Sequence, residues 1–90
     1  MNKDKLIEWV KKYTNDILVP PSQWEIQVRF KYNGNTFSVI SNTMKNGQKP
    51  FSLNGQDCWE IYCLSKPEHD IDRAVHLDSF DKFIEKCTRG

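Results

Sequence analysis

The stretch that decides the fold is WEIQVRFKYNGNTFSVIS, which runs from Trp24 to Ser41. Its first half alternates apolar and polar residues without a break, a pattern typical of a strand with one buried face. Asn33-Gly34 comes next and is the pair preferred in a two-residue type I′ turn, because both central positions of that turn need a positive φ. The sequence therefore predicts a tight β-hairpin.

The turn also predicts which residues face each other across the hairpin. With Tyr32 opposite Asn35, the apolar residues of both strands fall on one face. A slip of one residue would turn Phe37 away from the core. The remaining predicted pairs are Phe30 with Phe37, Val28 with Val39, Ile26 with Ser41, and Trp24 with Thr43. The residues predicted on the opposite face are Arg29, Lys31, Ser38 and Ile40.

An amphipathic helix is predicted before the hairpin. Asn2 is expected to cap its first turn, and Pro20-Pro21 prevents the helix from continuing toward the strand. Apolar residues recur at helical spacing and predict the buried face. These residues are Leu6, Val10, Tyr13 and Ile17.

A second helix is predicted at the other end of the chain. It is expected to begin at Ser79, with Asp78 as the N-cap and Asp81 three residues later in capping-box spacing. Both carboxylates suit the positive end of a helix dipole. The predicted buried stripe consists of Phe80, Phe83, Ile84 and Cys87.

Between these helices the sequence predicts further strands and one long loop. Cys58–Leu64 is apolar on both faces, so it is expected to be the best-buried strand. Lys45–Asp57 contains two Asn-Gly pairs and a proline, so it predicts a loop of 13 residues. Arg73–Leu77 either forms a short fourth strand or leads into the last helix. The predicted fold is one α+β domain over residues 1–90, with a three- or four-stranded antiparallel meander between two helices.

Composition describes a folded and nearly neutral chain. Thirteen basic and twelve acidic residues give a net charge of +1, with eight basic and four acidic in residues 1–49 and five and eight in residues 50–90. The apolar runs are far shorter than the about 20 residues of a membrane-spanning helix, and Met1 is not followed by the apolar core of a secretory signal. Abundant Asn and Lys with scarce Ala suit a low-GC bacterium or its phage. We expect a cytoplasmic protein of a bacterial cell that makes no membrane contact.

The titratable residues form no recognisable catalytic or metal-binding motif. Cys58, Cys63 and Cys87 are an odd number in a chain without an export signal, which predicts free, buried thiols. Cys58 and Cys63 are five apart on one strand, so their side chains are expected on opposite faces rather than around one zinc ion. A cysteine with His69 or His76 as its base is the remaining enzymatic alternative. The sequence predicts no catalytic residue, metal or cofactor.

Candidate binding residues form three chemical groups. Basic side chains on the hairpin and the long loop suit an acidic partner. Aromatic side chains in or beside the loop suit a protein interface, where tryptophan often dominates the binding energy. Acidic side chains follow the third strand. The basic residues are Arg29, Lys31, Lys45 and Lys49, the aromatic residues are Phe51 and Trp59, and the acidic residues are Glu68, Asp70 and Asp72.

A nucleic-acid-binding module is the alternative hypothesis. Helix, three strands and helix is also the order of elements in double-stranded RNA-binding domains. Those domains carry basic residues at the start of the last helix, whereas this chain has Asp78 and Asp81 there, which would repel phosphate. Under this hypothesis the basic face of the hairpin would bind the nucleic acid.

The N-terminal half resembles small phage-encoded anti-CRISPR proteins of type II-A systems. The resemblance lies in the opening segment Asn2–Glu8, the strand Ile26–Arg29, the turn Asn33–Asn35 and the returning strand Phe37–Ser41. It implies a non-enzymatic inhibitor whose partner is a protein, a CRISPR effector nuclease complex. The similar inhibitor is strongly acidic and imitates DNA, whereas this chain is nearly neutral. The resemblance therefore implies contact through aromatic and loop residues, with Glu68–Asp81 as the acidic surface.

Overall fold

In a computed structural model, which describes residues 1–89 and leaves Gly90 outside, the chain forms two α-helices, five β-strands and one short 3₁₀ helix. No helix in the described range is long and apolar enough to cross a membrane. In chain order the elements are α1 (Lys3–Lys11), β1 (Ile17–Leu18), β2 (Gln27–Tyr32), β3 (Asn35–Ser41), β4 (Trp59–Cys63), β5 (Asp72–Ala74), the 3₁₀ helix (Leu77–Phe80) and α2 (Asp81–Thr88).

The hairpin forms at the predicted turn and in the predicted register. Asn33 and Gly34 have φ values of 52° and 80°, which are the left-handed conformations that a type I′ turn needs. Tyr32 pairs with Asn35, and the pairing continues without a slip to Gln27 opposite Ile40. The turn chemistry and the apolar alternation therefore specify the same pairing.

The register shifts by one residue at the far end of the hairpin. Trp24 was predicted to pair with Thr43, but it bridges to Met44 instead. The Ser41 hydroxyl oxygen accepts the N–H of Ile26 at 3.3 Å, and the buried Asn42 side chain donates to the carbonyl of Phe51 at 2.9 Å. These hydrogen bonds accommodate one extra residue in the returning chain, a displacement that apolar alternation does not reveal.

The sheet has five antiparallel strands in the order β1-β2-β3-β4-β5, so the predicted α+β class is confirmed and the predicted strand count is too low. Of the undecided segment Arg73–Leu77, the first two residues belong to β5, which begins at Asp72, and Leu77 begins the 3₁₀ helix. β1 was missed because Ile17 was placed on the helix, whereas α1 ends at Lys11 and Ile17 pairs with Phe30. The Lys31 N–H also donates to the Asp16 carbonyl at 3.1 Å. Although Ile17 lies in a strand and not in α1, it packs against the core as predicted.

The helices and the sheet share one core on one side of the sheet. Phe30 and Phe37 stack in its centre with ring centroids 5.2 Å apart. Within residues 1–89 no helix lies over the second face of the sheet. The prediction that the third strand is buried on both faces is therefore wrong, since Leu64, which follows β4, is 43% exposed. The core contains Leu6, Trp9, Val10, Ile26, Val28, Phe30, Phe37, Val39, Trp59, Ile61, Cys63, Ala74, Phe80, Phe83, Ile84 and Cys87.

One carboxylate joins the two helical ends of the core. The Asp81 side chain accepts hydrogen bonds from the Trp9 indole N–H at 3.1 Å and from the Tyr13 hydroxyl. Burial, followed by this hydrogen bond, raises the pKa of Tyr13 well above its usual value, so the hydroxyl remains a donor. The predicted capping box is wrong, because α2 begins at Asp81 after a 3₁₀ turn and no side chain of the described residues caps it. The predicted cap at Asn2 is confirmed by its bond from the Asp4 N–H.

Replacing Gly34 tests the turn. A β-carbon there meets no atom within 4 Å, so the effect of a substitution comes from the backbone at φ +80° and not from a clash. We expect Gly34→Val to lower the free energy of unfolding by about 1–2 kcal/mol, and Gly34→Asn by about 0.5 kcal/mol, because asparagine tolerates this conformation. Urea titration measures both values, and equal losses for the two variants would contradict the turn assignment.

A double-mutant cycle tests the link between the helices. Asp81→Ala leaves the part-buried indole N–H of Trp9 without its acceptor, so we expect a loss of about 2 kcal/mol. Combining it with Tyr13→Phe should reveal a coupling of about 1 kcal/mol in urea titrations. Asp78→Ala is the control, because its ion pair with Lys12 at 3.6 Å is exposed and should contribute less than about 0.5 kcal/mol. Additive effects at Asp81 and Tyr13 would refute the link.

Candidate interaction surface

The face of the sheet without helices, which we call the open face, carries three rows of side chains. Strand register places residues side by side across neighbouring strands, and two further backbone hydrogen bonds extend the third row to Asp16 and Leu64. The rows are Gln27, Ile40, Glu60 and Arg73; then Leu18, Arg29, Ser38 and Tyr62; and then Asp16, Lys31, Thr36 and Leu64.

A shallow groove of about 370 Å³ lies on the open face near the hairpin turn. We call it the hairpin-end groove. Its apolar walls are exposed, since Leu18 is 60% and Leu64 is 43% accessible to solvent. A protein surface with aliphatic side chains at this exposure loses unfavourable water contact when a partner covers it. The groove is lined by Asp16, Ile17, Leu18, Arg29, Phe30, Lys31, Thr36 and Leu64.

Arg29 and Lys31 supply the positive charge of the hairpin-end groove. They lie two residues apart on β2, so both side chains project from the same face. Within residues 1–89, neither makes an ion pair. Among the described residues Asp16 is the one acidic residue lining the groove, which therefore has two cations against one anion. The predicted placement of Arg29 and Lys31 on the face opposite the core is confirmed.

The other end of the open face is held by internal contacts. The Phe51 ring lies 5.7 Å from the ring of Trp24, and the Arg73 guanidinium lies 4.5 Å from the Phe51 centroid. Arg73 also pairs with Glu60 at 2.9 Å. Ile40, in the same row as Arg73, is buried although it lies outside the core cluster. The long loop is thus anchored at Phe51, which is half-buried in these contacts.

The four predicted basic residues do not form one patch. Lys49 pairs with Asp57 at 3.0 Å, and this hydrogen-bonded contact lowers the pKa of the Asp57 carboxyl. Lys45 lies near Trp24, where its N–H donates to the Gln23 carbonyl at 2.8 Å. Positions 23 and 31 are eight residues apart, and the six residues from 27 to 32 form the strand β2, so Lys45 lies beyond the far end of β2 from Lys31. Arg29 and Lys31 are together in the groove, and the two loop lysines are elsewhere.

The predicted aromatic and acidic residues also separate. Trp59 is only 4% exposed and belongs to the core, so the expectation of an exposed ring there is wrong. Its position on the core face of β4 accounts for this burial. Glu68 and Asp70 are exposed in the connection before β5. Asp72 lies in β5, where its carboxylate accepts the N–H of Arg73 at 3.0 Å.

The three cysteines are free thiols inside the protein. Burial raises the pKa of Cys58, and burial followed by the neighbouring Cys63 raises the pKa of Cys87 to about 11. A thiol with a raised pKa is a poor nucleophile at neutral pH. Residues 1–89 contain no group of three or more His, Cys, Asp or Glu side chains that could hold a metal ion.

Sequence reasoning missed the apolar half of the groove. Leu18 was not singled out because β1 was not predicted, and Leu64 was expected to be buried. Tyr62 lies beside Ser38 on the open face and is half-buried. The sequence feature that could have revealed this exposure is the short length of the two predicted helices, because two short helices cannot cover both faces of a sheet this wide.

Comparison with known proteins identifies no relative, since no family model, curated protein or solved structure matches the chain.

Thiol labelling tests the assignment of the cysteines. We expect all three to react with a thiol-specific disulfide reagent at least about 100-fold more slowly in the native protein than in urea, because labelling then requires local opening. Absorbance at pH 8 follows the reaction, and full labelling in urea is the control. One cysteine that reacts rapidly in the native state would contradict the assignment and favour a nucleophilic site.

Proposed function

We propose that this protein is a non-enzymatic protein-interaction module whose contact surface is the open face. The observation that carries the proposal is the hairpin-end groove, where exposed Leu18 and Leu64 flank two cations that make no ion pair within residues 1–89. Leaving aliphatic side chains and unpaired charges together on an ordered sheet contributes little to stability. A partner that covers the leucines and supplies negative charge would gain from both features.

A protein partner suits this surface better than a nucleic acid. Strong nucleic-acid binding needs many cations along one surface, because affinity comes mainly from phosphate contacts. The hairpin-end groove offers two, with Asp16 beside them. Stacking of bases requires several exposed aromatic rings, whereas the groove walls are aliphatic and Tyr62 lies beside the groove. Exposed leucines favour contact with apolar side chains of another protein.

We further propose that the partner is a bacterial CRISPR effector nuclease and that the protein inhibits it in the cytoplasm. Support for this identity is the resemblance of four short segments between residues 2 and 41 to type II-A anti-CRISPR proteins. The net charge of +1 argues for a mode of inhibition other than DNA mimicry. Contact through the open face is compatible with a neutral inhibitor, because it requires only a local patch of complementary charge.

A paired comparison of variants tests the contact surface. Arg29→Glu with Leu64→Ser reverses a charge and removes an exposed leucine on the open face. Ile71→Ser with Lys82→Glu makes comparable changes beside α2, where Ile71 is 44% exposed and lines the same pocket as Lys82. Both variants should keep the free energy of unfolding within about 1 kcal/mol of the wild type. We expect only the open-face variant to lose binding by about 100-fold.

The measurement uses purified type II-A effector nucleases and guide-directed cleavage of a DNA target. The wild type and the Ile71→Ser/Lys82→Glu variant should inhibit cleavage, and the Arg29→Glu/Leu64→Ser variant should not. Absence of inhibition by the wild type would reject the nuclease as partner. A partner that binds both variants equally, in affinity purification followed by mass spectrometry, would reject the open face as the contact surface.

A further inference from the structure

The spacing of side chains in the hairpin-end groove indicates the kind of segment that it accepts. Leu18 lies in β1 and Leu64 follows β4, with β2 and β3 between them. Neighbouring strands are about 4.8 Å apart, and Leu64 lies one row nearer the hairpin turn than Leu18, an offset of two residues or about 7 Å along the strands. Three strand intervals and this offset together separate the two α-carbons by about 16 Å. Arg29 and Lys31 on β2 lie between these apolar walls.

An extended peptide matches this spacing. Extended chain rises about 3.3 Å per residue and directs alternate side chains to the same side. Residues i and i+4 then point the same way about 13 Å apart, which is about 3 Å less than the separation of the Leu18 and Leu64 α-carbons, a difference that the leucine side chains can span. Residue i+2 lies midway, above β2 and β3, within reach of Arg29 or Lys31. An α-helix would present i and i+4 only about 6 Å apart.

The positive charge of the hairpin-end groove favours an acidic residue at the central position of the bound segment. Arg29 and Lys31 have no ion pair within residues 1–89, and Asp16 balances only one of them. A carboxylate bound to a guanidinium can accept two parallel hydrogen bonds, which gives orientation as well as attraction. An uncharged middle residue would leave the excess positive charge uncompensated beneath the bound segment.

We infer that the hairpin-end groove binds an extended segment of a partner protein with the pattern apolar–x–acidic–x–apolar. The outer apolar side chains lie against Leu18 and Leu64, and the central carboxylate pairs with Arg29 and Lys31. The inference rests on the proposed protein-interaction function and specifies the chemistry of the partner at that site. The edges of the sheet are not used, because the segment crosses the strands instead of extending β1 or β5.

Peptide titration of the full chain tests the inference. The probe is a capped peptide glycine–leucine–serine–glutamate–serine–leucine–glycine, and the readout is amide chemical shift in the ¹⁵N-labelled protein. We expect saturable shifts at Arg29, Lys31 and Thr36. Replacing the central glutamate by glutamine, or both leucines by serine, should weaken binding by about tenfold.

Charge reversal separates recognition from a structural effect. Arg29→Glu should weaken binding of the glutamate peptide by about tenfold and favour a peptide with lysine at the centre. Lys82→Glu, which makes the same change on α2, should leave both affinities unchanged. Retention of glutamate-peptide binding in Arg29→Glu would overturn the inference.

Three other outcomes would also overturn it: no saturable shift with the glutamate peptide, equal affinity for the glutamine peptide, or tighter binding of ten-residue oligothymidylate at the same amides. The last result would assign the surface to nucleic acid instead. If the peptide fails but the Arg29→Glu/Leu64→Ser variant still loses its protein partner, the peptide pattern is wrong and the proposed function stands. If the variant also keeps its partner, both are wrong.

Discussion

The pairing of β2 with β3 at the Asn33-Gly34 turn is the constraint on which the rest of the structure depends. The turn requires two consecutive residues at positive φ, which this pair adopts more easily than others. Because side chains alternate along a strand, the same turn directs Phe30 and Phe37 inward and Arg29 outward. The core and the open face therefore result from one local conformation, and a shifted turn would exchange them.

The two faces of the sheet differ because the helices are few and short. α1 and α2 have nine and eight residues, and both lie on the core side. The Asp81 carboxylate holds the ends of this layer together through Trp9 and Tyr13. On the other side the long loop provides cover at Phe51. The hairpin-end groove remains uncovered because the loop reaches the opposite end of the sheet.

Local patterns predicted the hairpin, its register, the helix cap at Asn2 and the long loop, since each depends on neighbouring residues. The errors have non-local causes. Ile17 has helical spacing from Leu6 and Val10, but hydrogen bonding to β2 places it in a strand. Trp59 and Leu64 belong to one apolar stretch, and only the one-sided arrangement of helices buries the first and exposes the second. Of the candidate site, the sequence predicted Arg29 and Lys31 but not their leucine neighbours, which come from separate parts of the chain.

The alternation of side chains along β2 also places different evolutionary constraints on neighbouring residues. Val28 and Phe30 of β2 lie in the core and tolerate few substitutions, whereas Arg29 and Lys31 project into solvent and affect folding little. Recognition can thus diverge through changes at every second residue while the scaffold persists. Descendants of this chain could retain the same backbone and core yet differ completely in the partner that they bind.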